Sequence, residues 1–196
     1  MTTIALPATA TTCIGDVDNR AAYVGFGLAY ILGHGTTAIS QGADPLIALP
    51  GWLPPALLGA GLAAGTVFST LAATRAQRGA DKHNALAGKL LGLSWITGFA
   101  ALFLAITGLT AVAETADLPT VLWPTGSGLV VGLLYIAEGV ARRNLVHYTL
   151  GTWLALISTT ALIVGTPGLF WILAIAGGGA YTVAVVLERR RLALIR

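Results

Sequence analysis

Charge is what this sequence has least of. Asp, Glu, Lys and Arg together make up 10% of its 196 residues, against about 25% in a soluble domain. Eleven basic and eight acidic side chains cannot solvate the surface of a water-dissolved globule of this size. Cysteine is almost absent. Cys13 stands alone, which excludes an internal disulfide framework and a multi-cysteine metal site. It lies in a mildly polar N-terminal stretch and is expected to have no role. Residues 1–20 lack the basic n-region and long apolar h-region of a signal peptide, so the first apolar block is expected to stay in the mature chain. The net charge of +3 does not point to nucleic acid, because no basic stripe interleaves with aromatics.

Catalytic and nucleotide motifs are missing as well. There is no HExxH, no pair of carboxylates within one apolar block and no cysteine cluster. Gly126-Ser127-Gly128 lacks the spacing of a nucleophile elbow. Gly88-Lys89 is followed by Leu90, without the glycine-rich lead of a phosphate-binding loop. His34, His83 and His147 fall at different depths, so no haem-ligand pair is expected. The reading is a chain that is not an enzyme, with no catalytic residue, no metal and no cofactor.

What the sequence has is apolar length. Apolar residues make up 56% of the chain and the mean hydropathy is +0.80. They fall in six blocks, at 21–40, 52–74, 88–113, 119–141, 145–165 and 168–188. Each approaches or exceeds the ~20 residues a helix needs to cross about 30 Å of hydrocarbon. None alternates as a barrel strand would. Backbone groups in lipid must be satisfied within the segment. The predicted fold class is therefore all-α, a polytopic membrane protein of six transmembrane helices. Residues 1–20 form an N-terminal segment, 21–188 the membrane domain and 189–196 a basic tail.

Orientation follows from the basic residues. Arg20 precedes the first block, and Arg75, Arg78, Lys82 and Lys89 surround the second connection. Arg142 and Arg143 separate blocks four and five, and Arg189, Arg190, Arg191 and Arg196 follow block six. All eleven lie on one side, while the opposite loops carry only Asp44, Glu114 and Asp117. The positive-inside rule then places both termini in the cytoplasm and the protein in the cytoplasmic (inner) membrane. Asp81 is predicted to cap a lead-in to the third helix. Asp117 with Pro119, and Thr166 with Pro167, are predicted to open the fourth and sixth. Arg142-Arg143-Asn144 and Gly165-Thr166-Pro167-Gly168 leave room only for tight hairpins. The apolar connection from Gln41 to Leu53 either lies in the interface or folds over the outer mouth as a lid. Trp52, Trp123 and Trp171 sit near outer ends, whereas Trp95 and Trp153 are read as core packing.

A cut near residues 114–118 divides the blocks three and three. Repeated three-span units are inverted, as in many transporters. Gly27-Leu28-Ala29-Tyr30-Ile31 resembles Gly132-Leu133-Leu134-Tyr135-Ile136, which is either a trace of such a repeat or chance. Small residues recur at helical spacing at Gly25, Ala29 and Gly33, at Gly61 and Gly65, and over 177–180. These faces serve packing inside one bundle, or a homodimer or partner-subunit seam.

Three features are candidates for binding. His34 lies roughly 10 Å below the outer surface at the helical rise, in the polar patch Gly33–Thr37. Pro124 interrupts the fourth block and is followed by Thr125, Gly126, Ser127 and Gly128. Broken helices are tolerated where they line a cavity. An outward-facing pocket of His34, Thr37, Trp123, Thr125 and Ser127 is the preferred substrate site. A kink relieved by its own hydroxyls is the alternative. Glu138 is an acid inside a span, a functional candidate by default. Arg142, four residues on, gives it a structural partner instead.

The runs Ala73–Gly79, Gly88–Gly92, Trp123–Gly128 and Glu138–Asn144 resemble small, uncharacterised membrane proteins of actinobacteria, often labelled ABC-transporter-permease-like. The resemblance covers most of the chain and transfers no site residues. Size and span number are also similar to the substrate-capture subunits of energy-coupling-factor vitamin transporters. In those, small residues on the first span dock to a scaffold, a part that Gly25, Ala29 and Gly33 would take here. With the kinked fourth block, the polar residues inside the spans and the inverted halves, the expected role is an integral membrane component of a transport system that binds a small or amphipathic solute from the outer side. Its partners would be the lipid bilayer and a separate ATPase or scaffold subunit. The alternative is a non-transporting accessory or assembly subunit.

Overall fold

The computed structural model describes residues 17–78 and 80–194; Cys13 and Arg196 lie outside them. The described residues are helical with no strand. Helix α1 occupies 20–40 and is π-helical over Ala29–His34. Then come α2 (Leu53–Gln77), α3 (Lys82–Ala113), α4 (Leu118–Ala141) and α5 (Leu145–Val164). Helix α6 (Gly168–Leu194) carries a second π segment at Leu173–Gly177. It continues through Leu194, so most of the basic tail is helical. Five helices, α2 to α6, are long and apolar enough to cross a membrane.

The exterior is apolar. Val112 and Ile163 are 87% and 86% exposed. The interior is mostly apolar but also buries polar side chains, among them Ser158, Asn144 and Glu188. Water disfavours so apolar an exterior, and lipid allows it. The helices form a ring. Helix α1 packs on α2 and α6, α6 on α5, α5 on α4, and α4 on α3. The ring is barely closed, because α3 and α2 scarcely touch.

Small residues set the tight seams. A Cβ added at Gly132 would lie 2.7 Å from the Gly151 carbonyl oxygen, and one at Gly151 would lie 2.6 Å from the Gly132 carbonyl oxygen. Only glycine admits such backbone approach between α4 and α5. Between α1 and α2, Gly25 meets Gly65, Ala29 meets Gly61 and Gly33 meets Leu58. On α6, Gly177 meets Tyr30 and Gly178 meets Ile31. The stripes on α1 and α2 and the Gly177–Gly178 pair are thus covered within the chain, while Gly179 stays open.

The caps differ in kind. Asp81 Oδ1 accepts the Asn84 N–H at 2.9 Å and caps α3. Asp117 and Pro167 occupy the caps of α4 and α6 without a side-chain hydrogen bond. In α4 the early Pro119, which needs no N–H partner, leaves less for a cap to satisfy. Asn144, in the tight α4–α5 hairpin, accepts the His147 N–H at 3.1 Å. At the same end, Glu188 is fully buried and holds Arg191 through two contacts of 2.8 and 2.9 Å. Arg191 also donates to the Val17 carbonyl at 3.0 Å. The segment before α1 is therefore tied to the end of α6.

Candidate functional site

A cavity of about 670 Å³ lies inside the ring, where α2 and α3 stand apart. Its size falls within the range of small-molecule sites. Its walls come from α1 (Phe26, Tyr30, His34, Thr37), α2, α3 (Trp95, Phe99), α4 and α6 (Phe170, Tyr181). No Asp, Glu, Lys or Arg is among them, nor any residue of the exposed 41–52 connection.

His34 is the exceptional wall residue. It is 5% exposed, and its ring has no hydrogen-bond partner among the described residues. It meets Tyr30 edge-on, at 5.0 Å between centroids, and stacks on Phe170 at 6.1 Å. It ends the π segment of α1, which packs against the π segment of α6. A π turn adds a residue to the helix and re-aims the side chains beside it, a device found often at functional sites.

Of the residues read from the sequence as a pocket, His34, Thr37, Trp123 and Ser127 line this cavity. Thr125 does not. It is 2% exposed and its hydroxyl donates to the Val121 carbonyl at 2.6 Å. Pro124 lies inside α4 without ending it, and lines the cavity together with Thr120. Proline supplies no N–H to the carbonyl one turn back, so the Thr120 carbonyl loses its helical donor at this wall.

Glu138 also lies off the cavity wall, in a polar cluster beside it. Its Oε1 accepts the Trp95 indole N–H at 2.8 Å. Its Oε2 stands 3.4 Å from His147 Nε2 and 3.6 Å from Arg142 Nε. The His147 ring then meets the Tyr23 hydroxyl through Nδ1 at 2.6 Å. Carboxylate, imidazole and phenol thus line up from α4 through α5 to α1, hydrogen-bonded between His147 and Tyr23 but not between His147 Nε2 and Glu138. Trp95 belongs to both places, since its ring lines the cavity and its N–H holds Glu138. Tyr181 lines the cavity too, with its ring 5.3 Å from Tyr30 and 6.3 Å from Tyr23.

Sequence reasoning found the Glu138–Arg142 spacing and missed Tyr23, Trp95 and His147. Those three lie on other helices, and no spacing rule connects them to Glu138. The only available signal was the depth of Trp95, which was read as packing. No group of three or more His, Cys, Asp or Glu side chains that could hold a metal occurs among the described residues. A scan against protein-family models, a search of curated proteins and a search of solved structures each found no match to the chain.

Proposed function

We propose that the chain is a six-span protein of the inner membrane, with both termini in the cytoplasm. Its role in this reading is the solute-binding component of a transport system. The central cavity faces the outer side, and the solute is small, uncharged and amphipathic. The observation that carries the reading is His34, a buried imidazole without a hydrogen-bond partner among the described residues, on the wall of a mostly apolar cavity that carries a few hydroxyls. A ligand's hydroxyl or carbonyl would supply the partner that the protein does not, a hydrogen bond worth about 0.5–1.5 kcal/mol. The absence of ionised side chains from the wall argues against an ionic solute, which would be desolvated without compensation.

Two further features support movement rather than static binding. The cavity abuts the loosest helix pair, α2 and α3. Two π segments face each other beside His34. In this reading the halves 20–113 and 118–194 are an inverted three-plus-three pair that rocks about the cavity.

The test uses purified protein in mild detergent and three eight-carbon probes: octan-1-ol, octanoate and octylammonium. Octan-1-ol is expected to raise the thermal midpoint and change the emission of Trp95 and Trp123, with the two ions weaker by about tenfold or more. His34→Phe is expected to remove the octan-1-ol response while preserving the fold. Equal responses from the variant and the original protein would refute the role of His34.

A further inference from the structure

A second cavity, of about 820 Å³, opens at the other end of the α2–α3 gap. It shares no lining residue with the central one. Leu91 lines the second cavity and Trp95 the first; Val185 lines the second and Tyr181 the first.

The chemistry here is the reverse of the central cavity. Four arginines line it: Arg20 on α1, Arg75 on α2, Arg142 in the α4–α5 turn and Arg189 on α6. The single acidic wall residue, Asp18, is bound by the Arg20 guanidinium at 2.6 and 2.9 Å. Arg75 and Arg189 have no carboxylate partner among the described residues. Arg142 Nε is buried without a hydrogen bond, since the Glu138 oxygen stands at 3.6 Å. Below the arginines the wall turns apolar, through Val24, Phe68, Leu71, Leu91 and Val185. Val24, Phe68 and Leu71 are also 48%, 45% and 42% exposed, so that apolar wall runs out to the surface of the bundle.

We propose that this cavity binds an anionic phospholipid, with the phosphate among the arginines and an acyl chain along the apolar wall. A lone phosphate ion would use the arginines and leave the apolar wall empty. A zwitterionic lipid would bring an ammonium group into a wall that already has a positive excess. An anionic diester with a tail satisfies both parts. Arginine suits the phosphate oxygens because its planar fork donates two parallel hydrogen bonds. Basic pockets between helices at the cytoplasmic side take anionic headgroups in this way.

The experiment uses the full-length protein, delipidated in mild detergent. Dioctanoyl phosphatidylglycerol, dioctanoyl phosphatidylcholine and inorganic phosphate are titrated separately, with bound species counted by native mass spectrometry. Phosphatidylglycerol is expected to bind about tenfold or more tightly than phosphatidylcholine, with inorganic phosphate not competing at the same concentrations. The double variant Arg75→Gln/Arg189→Gln is expected to lose about tenfold in phosphatidylglycerol affinity. Its lipid-free thermal midpoint and its octan-1-ol response should stay as in the original protein. Arg75→Lys/Arg189→Lys should recover most of the loss. Equal binding of the two lipids, or undiminished binding by the glutamine variant, overturns the proposal. Competition by inorganic phosphate alone overturns it in favour of a free-anion site.

Discussion

Thr125 and Ser127 are two residues apart on α4, so their side chains point about 200° from each other. Both cannot line one cavity, and the structure gives it Ser127. Residues 120, 123, 124, 127 and 131 share the cavity-facing stripe, at the spacing of one helix face. Glu138 falls on nearly the same stripe but roughly 16 Å deeper than Ser127 at 1.5 Å per residue. Angle excludes the first residue and depth the second, so both placements were within reach of helical geometry. The Trp95 and His147 contacts to Glu138 were not, because they cross helices 43 and 9 residues away in the chain. Glu138 should therefore behave as the hub of several contacts rather than half of a pair. Glu138→Gln keeps an acceptor for Trp95 but removes the charge facing Arg142 and His147. It is expected to destabilise by about 1–3 kcal/mol, while Glu138→Ala costs more and shifts the Trp95 emission. Arg143→Gln, at an exposed position of the same turn, is expected to change stability by less than about 0.5 kcal/mol. Denaturant unfolding of the three variants, with tryptophan emission as readout, checks that order.

At the scale of elements, the hydropathy blocks locate six helices, five of which, α2 to α6, are long and apolar enough to cross a membrane. Their ends drift where charge begins. Helix α3 starts at Lys82 rather than near residue 88, and α6 runs six residues past 188. A helix does not stop where lipid would. The π segments left a weaker mark: Ala29–His34 runs into a patch rich in glycine and threonine, and Leu173–Gly177 into a glycine run. Composition there signals poor helix formers but not an inserted residue. The small-residue stripes left two readings open, and the close approach of α1 to α2 shows that these faces pack inside the bundle. That assignment has a sharp consequence along α2. A Cβ on Gly61 would lie 2.6 Å from Ala29 Cα, whereas one on Gly59 meets nothing within 4 Å. Gly61→Val is expected to lower stability by about 1–3 kcal/mol or more through overpacking. Gly59→Val should be within about 0.5 kcal/mol of the original. Thermal unfolding of the two variants side by side measures the difference, and equal midpoints would contradict the seam.

The whole molecule is unevenly joined, and its two cavities follow that unevenness. The α4–α5 seam is backbone against backbone through Gly132 and Gly151. The α2–α3 boundary is a gap with a cavity at each end. Of α3's residues, only Ile106 is buried. Discrete motion in a packed protein concentrates where interlocking contacts are fewest. The gap is also the one feature of the ring that hydropathy could not reveal, since it depends on which helices become neighbours. Spin labels distinguish a mobile boundary from a fixed one. In a Cys13→Ser background, one pair of cysteines replaces Val67 on α2 and Leu93 on α3, both more than half exposed. The other replaces Leu133 on α4 and Leu156 on α5, also exposed. Double electron–electron resonance in lipid nanodiscs should give a broad α2–α3 distance distribution that narrows or shifts with octan-1-ol. The α4–α5 distribution should be narrow and indifferent to the probe. Two narrow distributions, both unmoved, would mean that α3 is as firmly seated as α5 and that the cavity opens by some other route.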